Sequence, residues 1–333
     1  MPSTPPDLTG QVLSQRFRVR QRVAAGGIAT IYEVEHLITR RLGALKLLHP
    51  LYAASSEAVE RLIREASAAS RIANPHVVET LDAGRLDTGE PYVFMELLAG
   101  ESLASLLERQ GRVPFTQAMD IARQAGTGLE ATHKAGIVHR DIKPANLFLV
   151  AKPKGFLKLL DFGVSKFSAF GLDTLTQEGR ALGTFLYMAP EQMTGAKNVD
   201  ARADIYALGV VLYECVTGCL PFAAKSIPEL ALRMGQNDYT PASRLRSDTP
   251  VGFDTLMARC LRADPAQRCP TMKDFLAELA AIHQRSSISQ TLSIGAMSNV
   301  RFAPPAAPAK LEPKPVPVAQ VDTIHPQSTK RPR

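Results

Sequence analysis

Apolar and polar residues alternate at the start of this chain. Phe17-Arg-Val-Arg and Ile31-Tyr-Glu-Val-Glu change side at every residue, the period of a half-buried strand. Ala44-Leu-Lys-Leu-Leu is a third short run, and residues 76–81 and 92–96 give a fourth and a fifth. Between them, Val59, Leu62, Ile63 and Ala66 recur at helical spacing, and Ser56 is placed to cap a helix over about 55–72. Five strands and one helix are therefore expected to open the chain.

After Gly100 the period lengthens. Residues 115–134 form a long amphipathic pattern, 204–216 is apolar nearly all round, and 253–261 and 272–283 are amphipathic again. Strands followed by helices imply two packed subdomains joined near residues 97–100. Past His283 the period stops and eight prolines follow. The expected organisation is a flexible N-terminus over 1–13, a strand-rich lobe over 14–97, a helix-rich lobe over 98–284, and a Pro-rich disordered tail over 285–333. The fold class is α+β and bilobal.

Composition changes this picture little. Apolar residues make up 45% and charged residues 21%, which suits a folded core. The net charge is +7, but residues 285–333 hold seven Lys/Arg against two Asp/Glu and so supply +5 of it. The charge marks a basic tail, and Phe302 is the tail's single aromatic, so no nucleic-acid partner is expected. Cys215, Cys219, Cys260 and Cys269 form no C-x-x-C pair and read as free thiols of a reducing compartment. The N-terminus has neither the basic start nor the apolar stretch of a signal peptide, and no apolar run reaches the ~20 residues that span a bilayer. A cytoplasmic location with no transmembrane segment is expected.

The chemistry is concentrated in a few segments. His139-Arg140-Asp141-Ile142-Lys143-Pro144-Ala145-Asn146 is followed fifteen residues later by Asp161-Phe162-Gly163. Upstream lie Lys46 in Ala44-Leu45-Lys46, Glu65 in Arg64-Glu65-Ala66, and the small-residue stretch Val23-Ala24-Ala25-Gly26-Gly27-Ile28-Ala29-Thr30-Ile31. Downstream lie Ala189-Pro190-Glu191, Asp204, and Arg268 in Pro265-Ala266-Gln267-Arg268. Phosphoryl transfer needs a backbone cradle for phosphates, a cation on them, metal ligands, and a carboxylate near the incoming hydroxyl.

Together these segments resemble the bacterial eukaryotic-like (Hanks-type) serine/threonine protein kinases, over roughly residues 14–284. The resemblance implies transfer of the γ-phosphoryl of ATP to protein Ser/Thr hydroxyls, with Mg²⁺, or Mn²⁺ in its place. It implies Asp141 on the acceptor hydroxyl, Lys143 on the γ-phosphate, Asn146 and Asp161 on the metal, and Lys46 on the α/β-phosphates while paired with Glu65. Residues 23–31 would cradle the phosphates. Ile31 and Ala44 would cover adenine and Phe148 would lie beneath it; Met95 would be the gatekeeper, and Glu96 to Leu98 the hinge. Phe162 would pack beneath the helix carrying Glu65, and Gly163 would free the following turn. Glu191 would pair with Arg268, and Asp204 would brace the catalytic loop.

Regulation follows from the same resemblance. Arg140 would await a phosphate on Thr176 or, second, Thr174; Thr184 would bind the catalytic aspartate and shape the acceptor pocket. Ser286, Ser287, Ser289 and Thr291 are further autophosphorylation candidates, and self-association for trans-autophosphorylation is an expected partnership beside the protein substrates. The glycine stretch departs from the family pattern G-x-G-x-x-G, with only Gly26 in register and alanines at 24 and 29. Those alanines predict a weaker or slower cradle. A non-catalytic scaffold is the competing class. The intact set Lys46, Glu65, Asp141, Asn146 and Asp161 argues against it.

Overall fold

The computed structural model describes residues 7–27, 29–49, 56–161, 182–195 and 199–284, with the backbone alone at 56–58, 61, 65, 182 and 184. Ile28, Phe162, Gly163, Thr174, Thr176, the tail serines and Thr291 lie outside the described residues, as do the side chains of Glu65 and Thr184.

The first lobe is an antiparallel sheet of six strands. They are β1 (Val12–Leu13), β2 (Phe17–Ala25), β3 (Ala29–His36), β4 (Leu42–Leu48), β5 (Thr80–Arg85) and β6 (Pro91–Glu96), in the order β1-β2-β3-β4-β6-β5. Side chains on a strand alternate between faces, so each face can carry its own apolar set. On one face Phe17, Val19, Tyr32, Val34, Leu45, Leu47, Tyr92 and Phe94 form a buried cluster. On the other, Ala44, Val93 and Met95 pack against Leu62 and Ala66 of helix α1 (Ser56–Ala69). Lys46 shares that second face, because it lies directly opposite Ile31 on β3 and Val93 on β6.

The strand expected over 76–81 forms instead at Thr80–Arg85. Val77 packs into the core of the second lobe and Val78 into the helix-side cluster of the sheet, while the backbone here bonds to the second lobe: Val78 N–H donates to the Leu159 carbonyl at 3.0 Å, and Leu159 N–H to the His76 carbonyl at 2.8 Å. A second, three-stranded sheet follows, ordered β7 (Gly100–Ser102), β8 (Leu147–Val150), β9 (Leu157–Leu159). Gly100 has φ +153°, and a Cβ there would collide with the Leu149 carbonyl oxygen. Only glycine suits this close strand crossing.

The second lobe is helical. Its described helices are α2 (Leu103–Gln110), α3 (Phe115–Lys134), α4 (Leu182–Phe185), α5 (Pro190–Met193), α6 (Arg202–Thr217), α7 (Ile227–Gln236), α8 (Ala242–Leu245), α9 (Phe253–Cys260) and α10 (272–284). Thirteen of the sixteen residues of α6 are buried, so this helix is the core of the lobe and the others pack around it. Helix α9 packs close against it: a Cβ on Gly209 would lie 2.7 Å from the Cys260 Cβ. All four cysteines are free; Cys215, Cys260 and Cys269 are buried and Cys219 is exposed. Among the described residues no helix is long and apolar enough to cross a membrane.

Candidate active site

The segment 139–146 leaves α3, turns sharply, and enters β8 through a 3-10 turn at Pro144–Asn146. The turn is held by one buried carboxylate. Asp204, in the first turn of α6 and fully buried, accepts the His139 N–H on Oδ2 at 2.8 Å and the Arg140 N–H on Oδ1 at 2.7 Å. His133 Nε2, from α3, donates to the same Oδ2 at 2.7 Å. A carboxylate removed from water needs such donors. In return it holds Arg140 at φ +66°, a left-handed conformation that a non-glycine residue rarely keeps unaided.

Asp141 projects from this turn with both oxygens engaged. Lys143 Nζ donates to Oδ1 at 3.0 Å and to Oδ2 at 2.9 Å. Asn146 Nδ2 donates to the Asp141 carbonyl at 2.7 Å and to Oδ2 at 2.9 Å. His139 Nδ1 accepts the Asp141 N–H at 3.3 Å while its Nε2 donates to the Leu160 carbonyl at 2.8 Å. Those two roles together call for the Nε2–H tautomer.

Leu160 N–H donates to the Asn146 carbonyl at 2.9 Å, which brings the next residue, Asp161, to the same place. Asp161 also has a positive φ, +61°. Its Oδ1 accepts from Lys46 Nζ at 2.5 Å. Burial pushes the Asp161 carboxyl up. The Lys46 charge and hydrogen bond, with His139 and Lys143 more distant, outweigh that and leave it below the usual carboxylate range. Glu65 is the expected partner of Lys46; its side chain lies outside the described residues, and the partner seen is Asp161.

This arrangement fits a Mg²⁺ ion. The Asn146 amide spends its N–H₂ on Asp141, leaving the amide oxygen, and Asp161 supplies an ionised carboxylate. Carboxylate and carbonyl oxygens are the ligands a hard cation takes.

The adenine-site candidates fall along the cleft face of the first lobe. Ala44 lies opposite Met95, and Ile31, Leu97 and Leu98 pack on the cluster that holds both. A cavity of about 20 Å³ opens behind Met95, lined by Lys46, Leu62, Ala66, Val78 and Asp161 among others. Phe148 sits on β8, opposite Ser102 on one side and Lys158 on the other. At the expected hinge, Glu96 to Leu98, the Glu96 N–H already donates to the Glu79 carbonyl at 3.0 Å.

The glycine stretch forms a hairpin. Ala24 faces Ile31, Ala25 faces Thr30, and Gly26 N–H donates to the Ala29 carbonyl at 2.9 Å. Neither Ala24 nor Ala29 has positive φ. The alanine methyls therefore introduce no backbone strain, which removes the physical ground for expecting them to restrict the loop. The register slips between Arg22 and Ala24, and Val23 in that bulge is 54% exposed. Thr30 is buried, its hydroxyl 2.9 Å from His49 Nε2.

A second small concavity lies beside Asp141, lined by Ile142, Tyr187, Met188 and Gln192. Gln192 Nε2 donates to the Arg140 carbonyl at 2.9 Å. Tyr187 Oη donates to Glu214 Oε2 of α6 at 2.7 Å. Glu191 meets Arg268 through two bonds of 2.7 Å. Arg140 Nη2 donates to the Val199 carbonyl at 3.2 Å, whereas its buried Nε has no hydrogen-bond partner among the described residues. His133, Tyr187 and Gln192 belong to the site's frame, yet no motif pattern in the sequence singles them out.

The sequence profile of the protein kinase domain family matches residues 17–279. The chain is 37% identical over 308 residues to the serine/threonine-protein kinase PknE of Mycobacterium bovis, covering 91% of this chain and 53% of that protein. It is 33% identical over 282 residues to the serine/threonine-protein kinase pkn3 of Myxococcus xanthus, covering 83% and 51%. The chain thus spans about half the length of these curated relatives. Among solved structures, the PknI kinase domain of Mycobacterium tuberculosis superimposes with a TM-score of 0.67 at 26% identity, covering 83% of this chain and 98% of that one. The chain belongs to the protein kinase domain family.

Proposed function

We propose that this chain is a serine/threonine protein kinase that transfers the γ-phosphoryl of Mg·ATP to protein hydroxyls. The carrying observation is the Asp141 carboxylate, held by Lys143 and Asn146 and backed by the Lys46–Asp161 pair. In this reading Asp141 orients the acceptor hydroxyl and takes its proton, and Lys143 moves from Asp141 toward the transferring phosphate. Lys46 holds the α/β-phosphates. Asn146 and Asp161 hold Mg²⁺, which when bound neutralises charge on the β- and γ-phosphate oxygens. Residues 23–31 cradle the phosphates, and adenine lies between Ile31 and Ala44 on one side and Phe148 on the other, against Glu96–Leu98.

The lysine at 143 supports Ser/Thr rather than Tyr acceptors, as do the names of the relatives. The lobes correspond to 14–97 and 98–284, and the site works in the cytoplasm. Thr176, then Thr174, are the sites whose phosphate meets Arg140; such a phosphate carries about −1.5 to −2 charges. Copies of the chain associate transiently to exchange it.

The test is transfer of labelled phosphate from Mg·ATP to a Ser/Thr peptide, beside Asp141→Asn. Wild-type transfer lost in the variant supports the reading. Equal transfer by both refutes it. Mass spectrometry of the incubated wild type examines Thr174 and Thr176; no phosphate there refutes the regulatory part alone.

A further inference from the structure

One charged pair joins the start of the hinge to β9. Lys158, on β9, forms an ion pair with the Glu96 carboxylate at the end of β6, and the side chains are only 16% and 21% exposed. Glu96 Oε1 also accepts the Glu79 N–H at 2.8 Å, while Glu96 N–H donates to the Glu79 carbonyl at 3.0 Å. Glu96 is therefore fixed at three points. Residues 76–78, just before Glu79, are themselves bonded to β9 at Leu159. The result is a closed tie: from β9 through 76–79 to Glu96, and back to β9 through Lys158.

Both ends of that tie matter to the cleft. Glu96 begins the hinge. Lys158 lies opposite Phe148 in the β8–β9 ladder and three residues before Asp161. Without Lys158, the Glu96 carboxylate keeps only the Glu79 N–H among the described residues, and β6 loses this side-chain link to β9. The backbone of 96–98 must then be ordered by the ligand at the moment of binding, which weakens affinity. Exposed pairs of this kind contribute little. This one is mostly shielded from water and carries a backbone N–H on the same oxygen, which strengthens it. By contrast the neighbouring Arg41–Glu79 pair is about half exposed on each side and carries no such expectation.

We propose that Lys158 is a positioning residue that clamps the hinge and pre-orders it for the nucleotide. The inference rests on the reading of this cleft as a nucleotide site. Lys158 touches no reacting group, so its loss acts on binding and leaves the transfer step unchanged.

The test uses Lys158→Met, Lys158→Arg, Glu96→Gln, and the double variant Lys158→Met/Glu96→Gln, with Mg·ADP titrated calorimetrically and peptide phosphorylation assayed. Lys158→Met is expected to weaken Mg·ADP binding and raise the KM for ATP about fivefold, with kcat within about twofold, the scale of coupling through a contiguous network. Lys158→Arg should restore binding. Glu96→Gln keeps the acceptor for Glu79 N–H but loses the charge, and Lys158→Gln repeats the test should Lys158→Met not fold. In the Glu96→Gln background, Lys158→Met should add no further loss. Amide exchange at 96–98 without nucleotide should quicken in Lys158→Met. Wild type that binds Mg·ADP, with Lys158→Met binding equally, overturns the clamp alone. A kcat that falls in step with affinity, or failure of arginine to rescue, also overturns it. Wild type that binds no Mg·ADP overturns the nucleotide reading and the inference with it.

Discussion

Glu191→Ala should cost more stability than any surface change in this chain. The Arg268 side chain is fully shielded from solvent and all five of its N–H groups are used. Nη1 donates to Glu191 Oε1 at 2.7 Å and to the Arg202 carbonyl at 3.0 Å; Nη2 donates to Glu191 Oε2 at 2.7 Å and to the Ala263 carbonyl at 3.0 Å. Nε donates to the Arg262 carbonyl at 2.8 Å, and the guanidinium lies over the Tyr206 ring, 4.9 Å from its centroid. Removing Glu191 leaves a buried cation with no counter-charge. Breaking a buried pair from one side costs about 3–5 kcal/mol. The three carbonyls and the ring remain, which places the expectation near the lower end, about 3 kcal/mol. For a chain this size that lowers the Tm by roughly 5 °C. Arg268→Met should cost a similar amount. The double variant should cost less than the sum by about 1–3 kcal/mol, because the second change removes the charge that the first left unpaired. Urea unfolding followed by circular dichroism measures all three, with an unchanged slope required for the comparison. A single-variant loss under about 1 kcal/mol, or full additivity in the double, would refute the reasoning.

Two further outcomes follow from the same structure. Burial raises the Glu214 carboxyl above its ordinary value of 4.5 against the opposing Tyr187 hydrogen bond, so folding favours its protonated form. Its contribution is full below pH 4.5 and fades as pH rises through the higher folded value; Glu214→Gln should therefore gain stability relative to wild type as pH climbs from 4 to 7, and a pH-independent difference would count against it. Ala24→Gly with Ala29→Gly should leave the KM for ATP within about twofold and lower stability by about 1–2 kcal/mol, since both alanines sit in extended strand; markedly tighter ATP binding in the double variant would revive the restricted-loop expectation.

The legible parts of the chain were those where chemistry and period agree over short distances. The alternations at 17–20 and 31–35 and the helical spacing at 59–66 become β2, β3 and α1 because each buries one face on a neighbour. Strands β7, β8 and β9 have only three or four residues, too few for a period of two to declare itself. At 76–79 the apolar pair Val77-Val78 is split between the two cores and the backbone bonds to β9, so the run is apolar without extending the six-stranded sheet, whose strand begins at Thr80. Asp141, Lys143 and Asn146 stand within six residues, so spacing alone puts them together. Lys46 and Asp161 are 115 residues apart and Glu191 and Arg268 are 77; only a family resemblance could suggest such meetings. The Lys158–Glu96 pair had no signal at all, because a lysine in a short strand and a glutamate at a strand end are ordinary in sequence.

The positive-φ residues tie these observations to the chemistry. Arg140 and Asp161 both hold left-handed backbones, and they flank the place where the metal and the acceptor hydroxyl would meet. Each such residue costs of order 1–3 kcal/mol and persists only where the surroundings over-determine it. At Arg140 they do: Asp204 fixes its N–H, Gln192 its carbonyl and Val199 its guanidinium, from three separate segments of the second lobe. At Asp161 the restraints are fewer, the Lys46 bond at its side chain and the preceding Leu160 held to Asn146 and His139. His139 links the two turns, taking the Asp141 N–H on one ring nitrogen and giving the other to Leu160. The turn at Arg140–Asp141 is thus held from within the second lobe, whereas the turn at Asp161 is held in addition by a lysine of the first. A movement between the lobes that separates Lys46 from Asp161 would relax the metal-side turn and leave Asp141 where it is. Under the proposed roles, loss of the Lys46–Asp161 pair would therefore disturb nucleotide and metal binding and leave the bonds that hold Asp141 in place.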